Sequence, residues 1–131
     1  MKILFTLLFS GLFLFSFGQK KECDCYKFYT GTFYTEPFNT TDTVIIERDK
    51  KYQYEYEVGK KSEQHVLRVI WLNDCKYILR NQNKQPSSTT KILRGDVVVQ
   101  IIETTKEYYV VKAYAKGNKK MIFKVFVYNP N

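Results

Sequence analysis

Tyr52-Gln53-Tyr54-Glu55-Tyr56-Glu57-Val58 alternates aromatic and polar residues without a break. A period of two sends successive side chains to opposite faces of an extended chain, so this run predicts a half-buried strand. Its tyrosines are expected on the covered side, with Gln53, Glu55 and Glu57 toward solvent. The same period recurs along most of the chain, in runs rich in β-branched and aromatic residues. It predicts strands over 26–34, 43–48, 52–58, 64–72, 75–80, 96–104, 108–115 and 121–128. Asp49-Lys50, Gly59-Lys60-Lys61-Ser62, Asn73-Asp74 and Lys116-Gly117-Asn118-Lys119 supply turns, and the polar stretch 81–91 is the longest loop. No segment carries a convincing helical period, a repeat or a heptad. About eight antiparallel strands joined in sequence predict an all-β meander, closed into a small barrel or curled into a strongly bent sheet.

Two of these strands are apolar on both faces. Leu67, Val69 and Trp71 alternate with Val66, Ile70 and Leu72, and Val97, Val99 and Ile101 alternate with Val98 and Ile102. One face of each is expected to fill the interior, and the other needs cover from a loop, the N-terminal segment or a partner.

Ahead of the strands, Lys2 is followed by an almost wholly apolar run to Phe17, and Ser16-Phe17-Gly18 places small residues where a signal peptidase cuts. Residues 1–18 therefore read as a signal peptide. The apolar run of about 15 residues is shorter than the roughly 20 that span a bilayer, so no stable membrane span is expected after cleavage. Lys21-Glu22 before Cys23 does not suit lipidation. The working protein is then a single exported β domain, 19–131, periplasmic or extracellular, with its oligomeric state left open.

Export bears on the cysteines. Cys23 and Cys25 are too close to pair comfortably with each other, so one of them is expected to bridge to Cys75 in an oxidising compartment. Such a bridge closes a loop of about 50 residues and contributes about 4 kcal/mol in the chain-entropy account. A remote alternative is a redox or metal site built from Cys23, Cys25, Cys75 and His65, the one histidine of the chain. Its spacing is not that of a zinc finger, and neither a metal nor another cofactor is expected.

Several residues resemble a group of small exported bacterial β proteins of uncharacterised function. Cys25-x-x-Phe28-x-x-Gly31-x-Phe33 is similar to an N-terminal motif of that group, Arg48 and Gln53 sit at matching places in the next hairpin, and Trp71-Leu72-Asn73-Asp74-Cys75-x-Tyr77-x-Leu79 resembles its Trp-x-Asn-Asp-Cys-x-Tyr-x-Leu core motif. The resemblance runs through Cys25 to Leu79 and implies a Cys25–Cys75 pairing, with Cys23 a departure from the pattern. Gly31-Thr32-Phe33 also loosely resembles the Gly-x-Trp start of lipocalin-like barrels. Members of the group often carry the label DNA topoisomerase IV. Strand passage needs a nucleotide-binding fold and a DNA-gripping dimer, hundreds of residues in all, and an exported chain is removed from its DNA, so the label is not credited as an activity.

With 21 basic against 13 acidic residues, the chain carries a formal net charge of +8 and a basic balance that suits an anionic envelope component, or serves solubility and edge protection. Export argues against a nucleic-acid partner. The 11 tyrosines and Trp71 fall mostly at alternating strand positions, where core packing accounts for them. Tyr52, Tyr54, Tyr56 and Trp71 are the residues expected to line an interior ligand cavity. Catalysis has no supporting constellation: His65 is isolated mid-strand, and Glu55 and Glu57 belong to the polar face. Asn39-Thr40-Thr41 fits a glycosylation sequon and Asp42-Thr43-Val44 resembles a bacterial O-glycosylation acceptor, both in a turn-rich stretch. The expected function is a non-enzymatic exported β domain binding a small apolar or cell-envelope ligand. The alternative is a basic module that interacts with a protein or polysaccharide of the envelope.

Overall fold

The structure, a computed structural model, describes residues 23–36, 42–82, 95–115 and 117–129. Eight strands run β1 (Gly31–Thr35), β2 (Val44–Arg48), β3 (Tyr52–Glu57), β4 (His65–Asn73), β5 (Lys76–Asn81), β6 (Val97–Thr104), β7 (Tyr108–Ala115) and β8 (Met121–Val127). Each pairs antiparallel with the next, and β8 returns to β1 through Phe33↔Val127 and Tyr34↔Phe126. The meander is therefore a closed barrel, not a bent sheet. The predicted leader 1–18, its expected cleavage site and the sequon at Asn39 lie outside the described residues, as does 83–91 of the long loop.

Short turns set the pairing. The Asp49 carboxylate accepts the backbone N–H groups of Lys51 and Tyr52, both at 2.8 Å, which folds β2 directly onto β3. Those two bonds hold the carboxyl of Asp49 below the ordinary value. Gly59 turns the chain out of β3 at φ +80°, a conformation that L side chains rarely adopt. Asn73 accepts the N–H of Cys75 at 3.0 Å, and the register slips by one residue between Trp71 and Asn73, so Leu72 bulges outward. Thr105 performs the same local capping between β6 and β7, accepting from Glu107 and Tyr108.

One sequence expectation needs correction at the N-terminus. Residues 26–34 do not form one strand. Cys25–Phe28 is a single 3-10 turn, and β1 begins only at Gly31, where φ is +139°. A side chain at Gly31 would also press on the Phe33 ring, 3.1 Å from where its Cβ would stand. The 3-10 turn closes one end of the barrel. Phe28 packs on Phe33 and Tyr109, Tyr29 stacks on Trp71 with ring centroids 3.8 Å apart, and the Tyr29 hydroxyl donates to the carbonyl of Asp74. Cys25 is disulfide-bonded to Cys75 with a Cα–Cα distance of 5.3 Å. The plug is thus held to the β4–β5 turn by a covalent bond and an aromatic stack.

The interior at that end is solid: Phe28, Phe33, Leu67, Val69, Ile101 and Tyr109 are all buried. On the outside, the second apolar faces of β4 and β6 find cover along the sheet itself. Register aligns Ile70, Ile78, Val98 and Tyr114 in one row across β4 to β7, and each is half-buried. Leu72 and Ile102 remain exposed.

Candidate functional site

Arg48 ends β2 on the same face as Val44 and Ile46, so its side chain enters the barrel, where it is 4% exposed. An isolated guanidinium there would be prohibitively costly to desolvate. Its surroundings compensate. Nε donates to Gln53 Oε1 at 2.8 Å, Nη1 donates to the carbonyl of Phe28 at 2.7 Å, and Nη2 donates to the hydroxyls of Tyr77 and Tyr109, both at 3.0 Å. The guanidinium also lies over the rings of Tyr77 and Phe33, at 4.9 and 5.3 Å from their centroids. Burial works against its charge, but the two phenol oxygens it donates to and the nearby Glu55 carboxyl favour the charged form, and Arg48 stays protonated.

Gln53 faces Arg48 across the β2–β3 pairing and is equally buried. Its carboxamide relays the interaction, because Nε2 donates to Glu55 Oε1 at 2.6 Å. A cation, an amide and a carboxylate thus form one hydrogen-bonded line through the barrel. Burial pushes the carboxyl of Glu55 above its ordinary pKa, while the Gln53 hydrogen bond, His65 and Arg48 pull it back without cancelling the shift. Burial likewise raises the phenol of Tyr77 far out of the physiological range, so it stays neutral.

This line forms the polar part of a half-enclosed cavity of about 170 Å³. Arg48, Gln53, Tyr77 and Tyr109 floor it, Glu55 stands in its wall, and Val44, Ile46, Leu79, Val99, Val111, Phe123 and Val125 supply apolar surface. Glu55 is only half-buried by area because it borders this space. His65, paired with Glu55 in register and on the inward face of β4 with Leu67, stands beside it.

The facing expected of β3 is reversed. Gln53 and Glu55 point inward, whereas Tyr52, Tyr54 and Tyr56 lie on the outer face, Tyr52 against Tyr54 and Tyr56 donating from its hydroxyl to Glu47 at 2.9 Å. Trp71 does face inward, but at the plugged end, between Tyr29 and Tyr77 and away from the cavity lining. The four aromatic residues are therefore not brought together. Nor are the four residues of the metal alternative brought together: Cys25 and Cys75 are bonded to each other at the plug, and His65 stands at the opposite end of β4. Among the described residues no group of three or more His, Cys, Asp and Glu is placed to hold a metal ion. Cys23 is half-buried beside the plug as a free thiol, with its carbonyl 3.9 Å from Cys75 Sγ.

A signal for the site was present in the sequence. Arg48 shares a face with Val44 and Ile46, and a short turn brings it opposite Gln53, so two polar residues meet on an apolar side. The fold gathers Phe28, Phe33 and Tyr77 around the same guanidinium.

A second concavity, about 860 Å³, lies on the outer face across β8, β1, β2 and β3. Tyr34 stacks on Phe126 there at 5.2 Å, Tyr128 meets Tyr34 edge-on, and Tyr56, Lys106 and Glu107 are among the other lining residues.

Among known proteins, no family model, no curated sequence and no solved structure matches this chain.

Proposed function

We propose that the chain is an exported, non-enzymatic binding protein whose barrel takes one small organic molecule with an apolar body and a single polar head. The observation that carries this reading is the interior cavity, in which an apolar wall meets a hydrogen-bonding floor. Its size restricts the guest. A dry cavity of roughly 150 Å³ accommodates a benzene-sized molecule, whereas drug-sized ligands need roughly 300 Å³ or more. The non-enzymatic part rests on how the polar groups are engaged: the Arg48 guanidinium makes four hydrogen bonds within the barrel, and Tyr77 is held neutral. Export is supported by the Cys25–Cys75 bridge, since such bonds persist in oxidising compartments.

Native mass spectrometry of the protein isolated from its own envelope tests the reading, with Val111→Phe as the cavity-filling control. A bound molecule below the size of a typical drug is expected on the parent and absent from the variant. A parent that carries nothing and binds no benzene-sized probe in solution overturns the reading.

The outer groove supports a second reading, an interaction module for an envelope protein or polysaccharide. Its aromatic floor of Tyr34 and Phe126 beside Lys106 and Glu107 suits an extended amphipathic partner. Capture of such a partner that is lost on Tyr34→Ala with the fold intact, and unaffected by Val111→Phe, would favour it.

A further inference from the structure

Resting on the interior-cavity reading, we propose that the head of the ligand is a carboxylic acid, received on the floor of Arg48, Gln53 and the phenol pair, with the ligand acid and Glu55 sharing one proton between them. The hydrogen-bond inventory of the floor carries the inference. Among the described residues, four of the guanidinium N–H groups of Arg48 have partners, leaving one on Nη1 uncommitted. Gln53 uses one of its two amide hydrogens on Glu55. Tyr77 and Tyr109 both accept from Arg48 through their hydroxyl oxygens, so their phenolic hydrogens are not spent on it. No buried side-chain nitrogen or oxygen among the described residues lacks a partner, so these are surplus donors on groups already satisfied. Such a floor suits a head with two acceptor oxygens, not one that brings further donors.

Charge and shape agree with this choice. Arg48 and the carboxylate of Glu55 make the floor neutral when both are ionised, and an incoming anion would then oppose Glu55. Protonating one carboxyl removes the conflict, as two acids sharing a site do elsewhere in proteins. The groups that face Glu55 are Arg48 from β2, Gln53 on its own strand, His65 from β4, Tyr77 from β5 and Tyr109 from β7. Its carboxyl already lies above the ordinary range because burial dominates. The apolar wall, Ile46, Val99, Val111 and Phe123 among it, leaves room for an aromatic ring or a short branched chain behind the acid group.

Calorimetric titration of the disulfide-bonded protein with benzoate, benzyl alcohol and benzylamine separates the possibilities. The expected result is benzoate binding that weakens about tenfold per pH unit above the titration of Glu55, because each binding event takes up one proton there. Glu55→Gln, which mimics the protonated acid, is expected to bind benzoate at high pH at least tenfold more tightly than the parent and with a flat profile. His65→Gln is expected to keep the parent slope. Preference for benzylamine or benzyl alcohol, or a slope that survives Glu55→Gln or disappears in His65→Gln, overturns the acid-head inference while leaving the cavity reading intact. Failure of all three probes to bind, or benzoate binding unchanged by Val111→Phe, overturns the cavity reading itself.

Discussion

Arg48 and Gln53 stand opposite one another across the β2–β3 hairpin, and the guanidinium Nε donates to the amide oxygen at 2.8 Å inside the closed barrel. The same guanidinium reaches the carbonyl of Phe28, so one buried cation joins the hairpin, the N-terminal plug and two tyrosines of the far wall.

Removing that cation breaks all of these connections at once. Arg48→Met leaves the Phe28 carbonyl and Gln53 without their donor and Glu55 without a nearby positive charge. A loss of about 3–5 kcal/mol is expected, as for other broken buried charge networks. Arg48→Met combined with Gln53→Leu and Glu55→Leu is expected to recover part of it, because the amide and the carboxylate are then no longer left without their cation, while the Phe28 carbonyl still lacks its donor. Urea unfolding midpoints, compared at unchanged m-value, check both outcomes.

The plug depends on its disulfide as well as on Arg48. Cys25 and Cys75 are 50 residues apart in sequence, and their bridge restrains the unfolded chain over that whole loop. Cys75→Ser is expected to cost about 4 kcal/mol. Near-ultraviolet circular dichroism should report loss of the Tyr29–Trp71 stack before the barrel unfolds, if the plug detaches first. A variant as stable as the parent would contradict the role given to the bridge.

Glu55 and the surface aspartates act on stability in opposite directions. The folded-state pKa of Glu55 is raised, so its favourable contribution is complete below the ordinary carboxylate value and is lost as pH rises through the raised one. Asp49 and Asp96, held below the ordinary value by the β2–β3 turn and by Arg80, contribute above that value, and their contribution is lost as pH falls through the depressed one. Stability is therefore expected to peak in mild acid. Glu55→Gln should remove the decline on the alkaline side of that peak and leave the acid limb in place, as thermal melts across pH would show.

Filling the cavity should stabilise the barrel. Val111 is 1% exposed and its side chain borders the space above Tyr109 and Arg48. Val111→Phe adds apolar surface where there is room for it, for a gain of about 1 kcal/mol. Isotope-labelled spectra should show shifts confined to residues that line the cavity, Leu79, Val99 and Phe123 among them. A destabilised variant would mean that the space is smaller or more rigid than its outline.

Each strand's existence and the way its residues divide between two faces follow from local pattern alone, because the two-residue period is a property of the extended backbone. Tyr52, Tyr54 and Tyr56 do share one face, Gln53 and Glu55 share the other, and seven of the strands begin and end within two residues of where alternation and turn residues place them. Which face turns inward is another matter, since it depends on neighbours distant in sequence. Tyrosine, with an apolar ring and a polar tip, is suited to either side of a barrel wall. In β3 the choice was made by Arg48, whose place on the Val44–Ile46 face commits its hairpin partner Gln53, and with it Glu55, to the interior. Closure of β8 onto β1 and the folding back of Cys25–Phe28 over one end then supplied the carbonyl, hydroxyls and rings that make a buried guanidinium tolerable.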